Sequence, residues 1–228
     1  MKLQFQVPAN DAAASTINVD IDTLIIAGWA GRDRDAIEHH IQELAELGVP
    51  RPSAVPLFYQ VAANQLIQSE QVQVVGAESS GEAEAFVFTH SGHMYVSLAS
   101  DHTDRKLEAH SVALSKQLCI KPVATEAWTL DSVADHWDQL ILRAWIEEGG
   151  KQVLYQEGPM SQLRPPLELI RARFGSDVLP EGHGMTCGTV TVQGGIRPAA
   201  VFTMELHDPV LGRSIRHRYT QEILPEIA

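Results

Sequence analysis

The sequence predicts a β-rich α+β domain, and three observations carry that expectation. Short segments with apolar residues at every second position, or apolar throughout, recur along the chain with turn residues between them. Only three stretches, within 37–47, 105–118 and 165–174, read as helices. Across all 228 residues there is no repeat, low-complexity tract or linker at which to divide the chain, so residues 1–228 are expected to form a single domain.

After a polar opening, residues 17–22 alternate apolar and polar and 24–27 run apolar, which predicts one or two strands meeting Gly28. Ile37, Ile41, Leu44 and Leu47 then recur at helical spacing, and Gly48 and Pro50 stop that helix. Pro50, Pro52 and Pro56 force an extended path into Leu57, Phe58 and Tyr59. Residues 82–89 and 93–98 are expected to pair as strands across a tight Ser91-Gly92 turn. A second helix is expected over 105–118, a second hairpin joins 138–147 to 151–156 around Gly149-Gly150, and a third helix covers 165–174. Strands over 190–195, 199–207 and 214–219 close the chain, with Gly194-Gly195 read as a turn rather than a phosphate loop, because no helix start follows it.

Composition narrows the function. Against 29 Asp+Glu stand 17 Lys+Arg, a net charge of -12 that repels a phosphate backbone or an anionic membrane surface, so neither nucleic acid nor membrane is an expected partner. The early apolar run is far too short to span a bilayer, and Cys119 and Cys187 form no CxxC pair, so a soluble, cytoplasmic protein is expected. Trp128, Trp137 and Trp145 read as core or subunit-contact residues. Eight of the ten histidines are assigned no role, and His102 reads first as a loop-bracing imidazole.

Glu82 and Glu84 lie one residue apart on an expected strand, so both carboxylates leave the same face and can converge on one cation. Asp101, at the start of the loop after the next strand, can reach back as a third ligand. An oxygen-only set suits Mg²⁺ or Mn²⁺, with Ca²⁺ a further candidate, and the lack of clustered Cys or His argues against zinc. Spacing by itself nonetheless favours the plainer alternative, in which Glu82 and Glu84 form the solvated face of an edge strand.

Several motifs resemble, in order, those of the fumarylacetoacetate hydrolase family over about residues 25–219. His40-Ile41-Gln42-Glu43-Leu44 and the proline run into Leu57-Phe58-Tyr59 resemble that family's lid helix and its exit. Gly81-Glu82-Ala83-Glu84 resembles its Glu-x-Glu strand, and Ser100-Asp101-His102-Thr103-Asp104-Arg105 its metal-ligating turn. Lys116 falls at the lysine that faces the metal, Gln156 at a strand glutamine, and Cys187-Gly188-Thr189 at a Thr-Gly-Thr-Pro element. The chain departs from the pattern at Ser100, in the stretch after Lys116, and around Glu181 and Thr189.

The resemblance implies a β-rich fold of mixed sheets forming a roll or sandwich with a few short helices, a small keto acid substrate, and a homodimer. It places a divalent metal on Glu82, Glu84 and Asp101. The implied activity is hydrolysis of a carbon-carbon bond in a small acylpyruvate or β-diketo acid through a metal-stabilised enolate. Glu43 would hold the His40 imidazole, His40 would activate water, and Lys116 would stabilise the leaving carbanion. Arg105, Gln156 and Thr189 would hold substrate oxygens, and the lid helix would close over them. Two alternatives stand beside it: a keto acid decarboxylase or isomerase using the same site, and a noncatalytic metabolite-binding relative.

Overall fold

The computed structural model describes residues 1–8, 14–46 and 51–227, and within the helix Arg34–Glu46 the side chains of His40, Glu43, Leu44 and Glu46 lie outside the description. Two sheets dominate the described residues. In the six-stranded sheet the order is Trp128–Thr129, His93–Ser100, Ala83–His90, His183–Thr186, Thr23–Gly28, Leu57–Val61. In the five-stranded sheet it is Lys151–Pro159, Ile141–Glu148, Val201–Asp208, Arg213–Leu224, Gln71–Val75. One core cluster joins them, with Ala85, Val87 and Leu98 of the first sheet packed in one apolar body with Leu142, Ala144 and Met204 of the second.

The other face of the six-stranded sheet is covered by a two-stranded ribbon, Lys2–Val7 with Ser15–Asp20, whose Leu3, Phe5 and Val7 alternate inward. Phe5 stacks on Phe88 at 4.4 Å between ring centres. The strand Ala83–His90 is therefore buried on both faces, with Ala85 and Val87 toward one core and Phe86 and Phe88 toward the other. It is an interior strand, so the solvated-edge alternative is overturned: Glu84 is buried, and Glu82, just before the strand, is only partly exposed.

Both expected hairpins form. Ser91 (φ 53°) and Gly92 (φ 78°) supply the two left-handed residues that a tight turn requires, and Gly149 and Gly150 do the same at the second. The helix Pro166–Phe174 starts on its prolines and ends at Gly175 in the left-handed conformation.

Other expectations need correction. The helix expected over 105–118 is two short ones, Arg105–Glu108 and Val112–Leu118, because Ser111 turns extended and accepts a hydrogen bond from Leu114 N–H as a new N-cap. Residues 190–195 form no strand, since only Val192 bridges Gln156 before the Gly194-Gly195 turn. The opening segment is not merely polar, since its first residues form the ribbon strand. No helix among the described residues is long and apolar enough to cross a membrane.

Candidate metal centre and active site

The hairpin register assembles the acidic cluster. His90 opposes His93 at the turn, so Glu84 opposes Ala99 and Ala83 opposes Ser100. One residue further, Asp101 N–H donates to the Glu82 carbonyl at 2.9 Å. A turn one residue longer would turn every side chain of the returning strand to the opposite face. As it stands, one carboxylate oxygen from each of Glu82, Glu84 and Asp101 lies within 4.8 Å of the others. Glu84 is 3% and Asp101 0% exposed.

Oxygen donors alone, brought this close in a buried setting, suit a hard divalent cation. Asp101 Oδ1 is a buried acceptor to which no well-aligned hydrogen bond is made, although Lys121 Nζ stands 3.1 Å away. The residues present thus fit a magnesium-type ion.

Positive charge is built in beside them. Lys116, from the second of the two short helices, donates to Asp101 Oδ2. Lys121, fully buried, also donates to the His102 carbonyl. Burial raises the Asp101 pKa, but the two ammonium groups outweigh it and bring it down to about 2. Glu84 has no ammonium bonded to it, and the Lys116 charge and Thr186 favour its ionised form only weakly. Burial first, then the charges of Asp101 and Glu82, push its carboxyl up to about 8, while Gly188 N–H steadies Oε2 at 2.8 Å. Burial would lower the Lys116 pKa, but Asp101 and Glu82 raise it on balance, so its ammonium stays charged.

The expected substrate-holding residues are all at the centre, with their polar atoms engaged by protein. The Arg105 guanidinium donates through Nε to Ser80 Oγ at 2.7 Å and through Nη1 to Glu108 at 3.0 Å, while Nη2 stands 3.1 Å from Glu82 Oε1. Gln156, 0% exposed, accepts from Ala83 N–H at 3.0 Å and donates to Thr189 Oγ1 at 2.7 Å and to the Val190 carbonyl at 2.8 Å. Thr189 Oγ1 donates to the Ala83 carbonyl at 2.7 Å. Gln156 and Thr189 therefore tie the Glu-bearing strand to its surroundings. His40 and Glu43 lie on the helix Arg34–Glu46, their side chains outside the described residues.

Sequence reasoning missed four contributors. Lys121 is hidden by its type, since a lysine is expected at a surface. Gly81 is required by close approach: a Cβ there would stand 2.5 Å from Tyr219 Oη and 2.9 Å from the Phe202 ring. Tyr219 Oη in turn lies 2.9 Å from both Ser100 Oγ and His102 Nδ1, which makes His102 a buried brace of the Asp101 loop. Burial, with Lys121 and Arg105 nearby, pulls the His102 pKa down to about 3, so the ring is neutral. Gly188, at φ 86°, brings its N–H against Glu84, and a Cβ there would meet that of Ala30 at 2.7 Å.

Comparison with solved structures places this arrangement in a known fold. A 2-keto-3-deoxyarabinonate dehydratase superposes with a TM-score of 0.64 at 15% identity, covering 94% of this chain and 79% of that one. The dehydratase described as complexed with magnesium and 2,5-dioxopentanoate gives 0.63 at 16% identity over 96% of this chain and 79% of that one. Cg1458 gives 0.62 at 13% identity over 91% and 78%. At such identities the likeness is one of fold, the strand-rich α+β, fumarylacetoacetate hydrolase-like fold. No curated protein sequence matches. The profile of the family DUF2848, described as proteins of unknown function, matches residues 27–219, and the chain belongs to that family.

Proposed function

We propose that the chain is a single catalytic domain that, with a divalent cation held by Glu82, Glu84 and Asp101, hydrolyses a carbon-carbon bond in a small acylpyruvate or β-diketo acid. The three-carboxylate cluster, with Glu84 and Asp101 buried and the Lys116 ammonium facing it, is the observation that carries it. A cation bound there, Mg²⁺ or Mn²⁺ by donor type, supplies Lewis-acid polarisation of substrate oxygens.

This chain's own residues supply the rest. Against the three carboxylates, and Glu108 on Arg105, stand three cationic groups, Lys116, Lys121 and Arg105, so a divalent ion tips this set of charges to net positive and suits it to an anionic keto acid. Lys116 places its ammonium at the Asp101 edge of the cluster, where it stabilises negative charge developing on substrate oxygen. His40, oriented by Glu43 one turn along the same helix, takes the proton from the attacking water. Gln156 and Thr189 act by positioning, because they hold Ala83 between the two glutamates. A homodimer accompanies this function by resemblance, and light scattering on the purified chain checks it.

A second possibility, a lyase that needs no water activated by His40, is favoured by the fold neighbours named as dehydratases. One experiment separates the two. Turnover of acylpyruvates, oxaloacetate, cyclic diketones and 2-keto-3-deoxy sugar acids is measured with added Mg²⁺ or Mn²⁺ for the parent, Glu82→Ala and His40→Ala. Hydrolysis lost in both variants supports the hydrolase. Loss in Glu82→Ala alone supports the lyase, and equal rates in all three overturn both.

A further inference from the structure

The strand His183–Thr186 ends in a hydroxyl buried beside the metal centre. Thr186 is 0% exposed, and among the described residues its Oγ1 makes no well-aligned hydrogen bond. Valine would fill the same space and suit a strand without taking a hydroxyl out of water unpaired, so packing alone does not account for the oxygen. Register puts the side chain on the face of Glu84. A Cβ on Gly184 would meet the Phe86 ring at 2.5 Å, so Gly184 faces the side that Phe86 occupies, and Thr186, two residues on in the same strand, faces it too. Phe86 and Glu84 share that side of the strand Ala83–His90 by the same alternation. Thr186 opposes Phe86, which makes Thr186 and Glu84 diagonal neighbours across the antiparallel pair, within reach of a long side chain. The Glu84 carboxylate leans toward this strand, since Oε2 accepts the Gly188 N–H at 2.8 Å. In agreement, the Thr186 hydroxyl favours the charged form of Glu84.

We propose that Thr186 is a positioning residue of the metal centre, whose hydroxyl closes on the Glu84 carboxylate when a divalent cation binds there. This rests on the metal-dependent function proposed above. The Gly188 N–H and the Thr186 O–H then hold Glu84 from the neighbouring strand while the carboxylate faces the cation, and a ligand held by two donors has less freedom left to lose on binding. The Gly188 donor is fixed by the backbone, whereas the hydroxyl rotates to suit its acceptor, so the pair can follow a small shift of the carboxylate. Met185 and Cys187, which alternate with Thr186, pack into the core between the sheets and leave this task to position 186.

The test reads metal affinity and stability, so it does not depend on turnover. Mn²⁺ binding to the full chain is followed by electron paramagnetic resonance, and thermal unfolding in chelator by scanning fluorimetry. Thr186→Val is expected to weaken Mn²⁺ binding about tenfold, while its Tm in chelator equals or exceeds the parent's because no hydroxyl is left buried without a partner. Thr186→Ser, which keeps the hydroxyl, is expected to hold the Mn²⁺ Kd within about threefold of the parent's. In a Glu84→Gln background, adding Thr186→Val is expected to change the Kd by about twofold or less, since the charged acceptor is gone. If Thr186→Val does not fold, Thr186→Ala set against Thr186→Ser gives the same comparison of affinities. Equal affinity in the parent and Thr186→Val, or a loss of affinity that comes with a lower Tm and is not restored in Thr186→Ser, overturns the role of Thr186 while the metal centre stands. A parent that binds no Mn²⁺ overturns the metal centre and this role together.

Discussion

At the scale of single residues, Glu84 and Asp101 are chemically alike and behave oppositely. Asp101 meets two ammonium groups, whereas Glu84 meets a backbone N–H and two carboxylates, and its pKa rises to about 8. A carboxyl whose folded pKa lies above its unfolded value of 4.5 binds more protons folded than unfolded, so it lowers stability as pH rises between those two values. In chelator, the near-isosteric Glu84→Gln is therefore expected to gain thermal stability over the parent progressively from about pH 5 to pH 8. Parallel scanning fluorimetry of the two chains reads this, and a difference that shrinks with pH refutes it. The same substitution removes one anionic ligand, so titration calorimetry is expected to show Mn²⁺ affinity falling by about tenfold or more. In the parent, affinity is expected to rise with pH toward 8, because the cation must displace the Glu84 proton. Gly188→Ala forces a Cβ onto Ala30 at φ 86°, and chemical denaturation is expected to show about 1–3 kcal/mol lost, with weaker metal binding as Glu84 loses its fixed donor.

At the scale of elements, the site depends on a hairpin and a broken helix. The tight Ser91-Gly92 turn was legible, and so was the spacing that placed Glu82 and Glu84 together, because both follow from period-two geometry. The break between Arg105–Glu108 and Val112–Leu118 was not, since Ser111 interrupts a stretch that otherwise reads as one helix. That break sets where Lys116 points. Ser111→Ala removes the N-cap of the helix carrying Lys116 and is expected to cost about 1 kcal/mol. For a chain of this length that is about 2–4 °C in Tm, read by differential scanning calorimetry, and an unchanged Tm would mean that the cap contributes nothing.

At the scale of the whole molecule, a cation that binds only the folded chain stabilises it by mass action. At about 100 times its Kd the gain is about 2.7 kcal/mol, or about 5–10 °C in Tm, lost on adding chelator and absent in Glu82→Ala. A Tm indifferent to Mg²⁺, Mn²⁺ and chelator would count against the centre. The sequence by itself determined the class of fold, the two hairpins, the helix after Pro165 and the identity of the three carboxylates, because local periodicity and turn chemistry act over a few residues. It left open whether Glu82 and Glu84 faced solvent, since spacing specifies a shared face and not what covers it. Only the tertiary structure decided that. The Lys2–Val7 ribbon covers one side of the Glu-bearing strand and the five-stranded sheet the other, so Glu84 and Asp101 are desolvated, and desolvation makes Glu84 respond to the carboxylates beside it and Asp101 to Lys116 and to the buried Lys121.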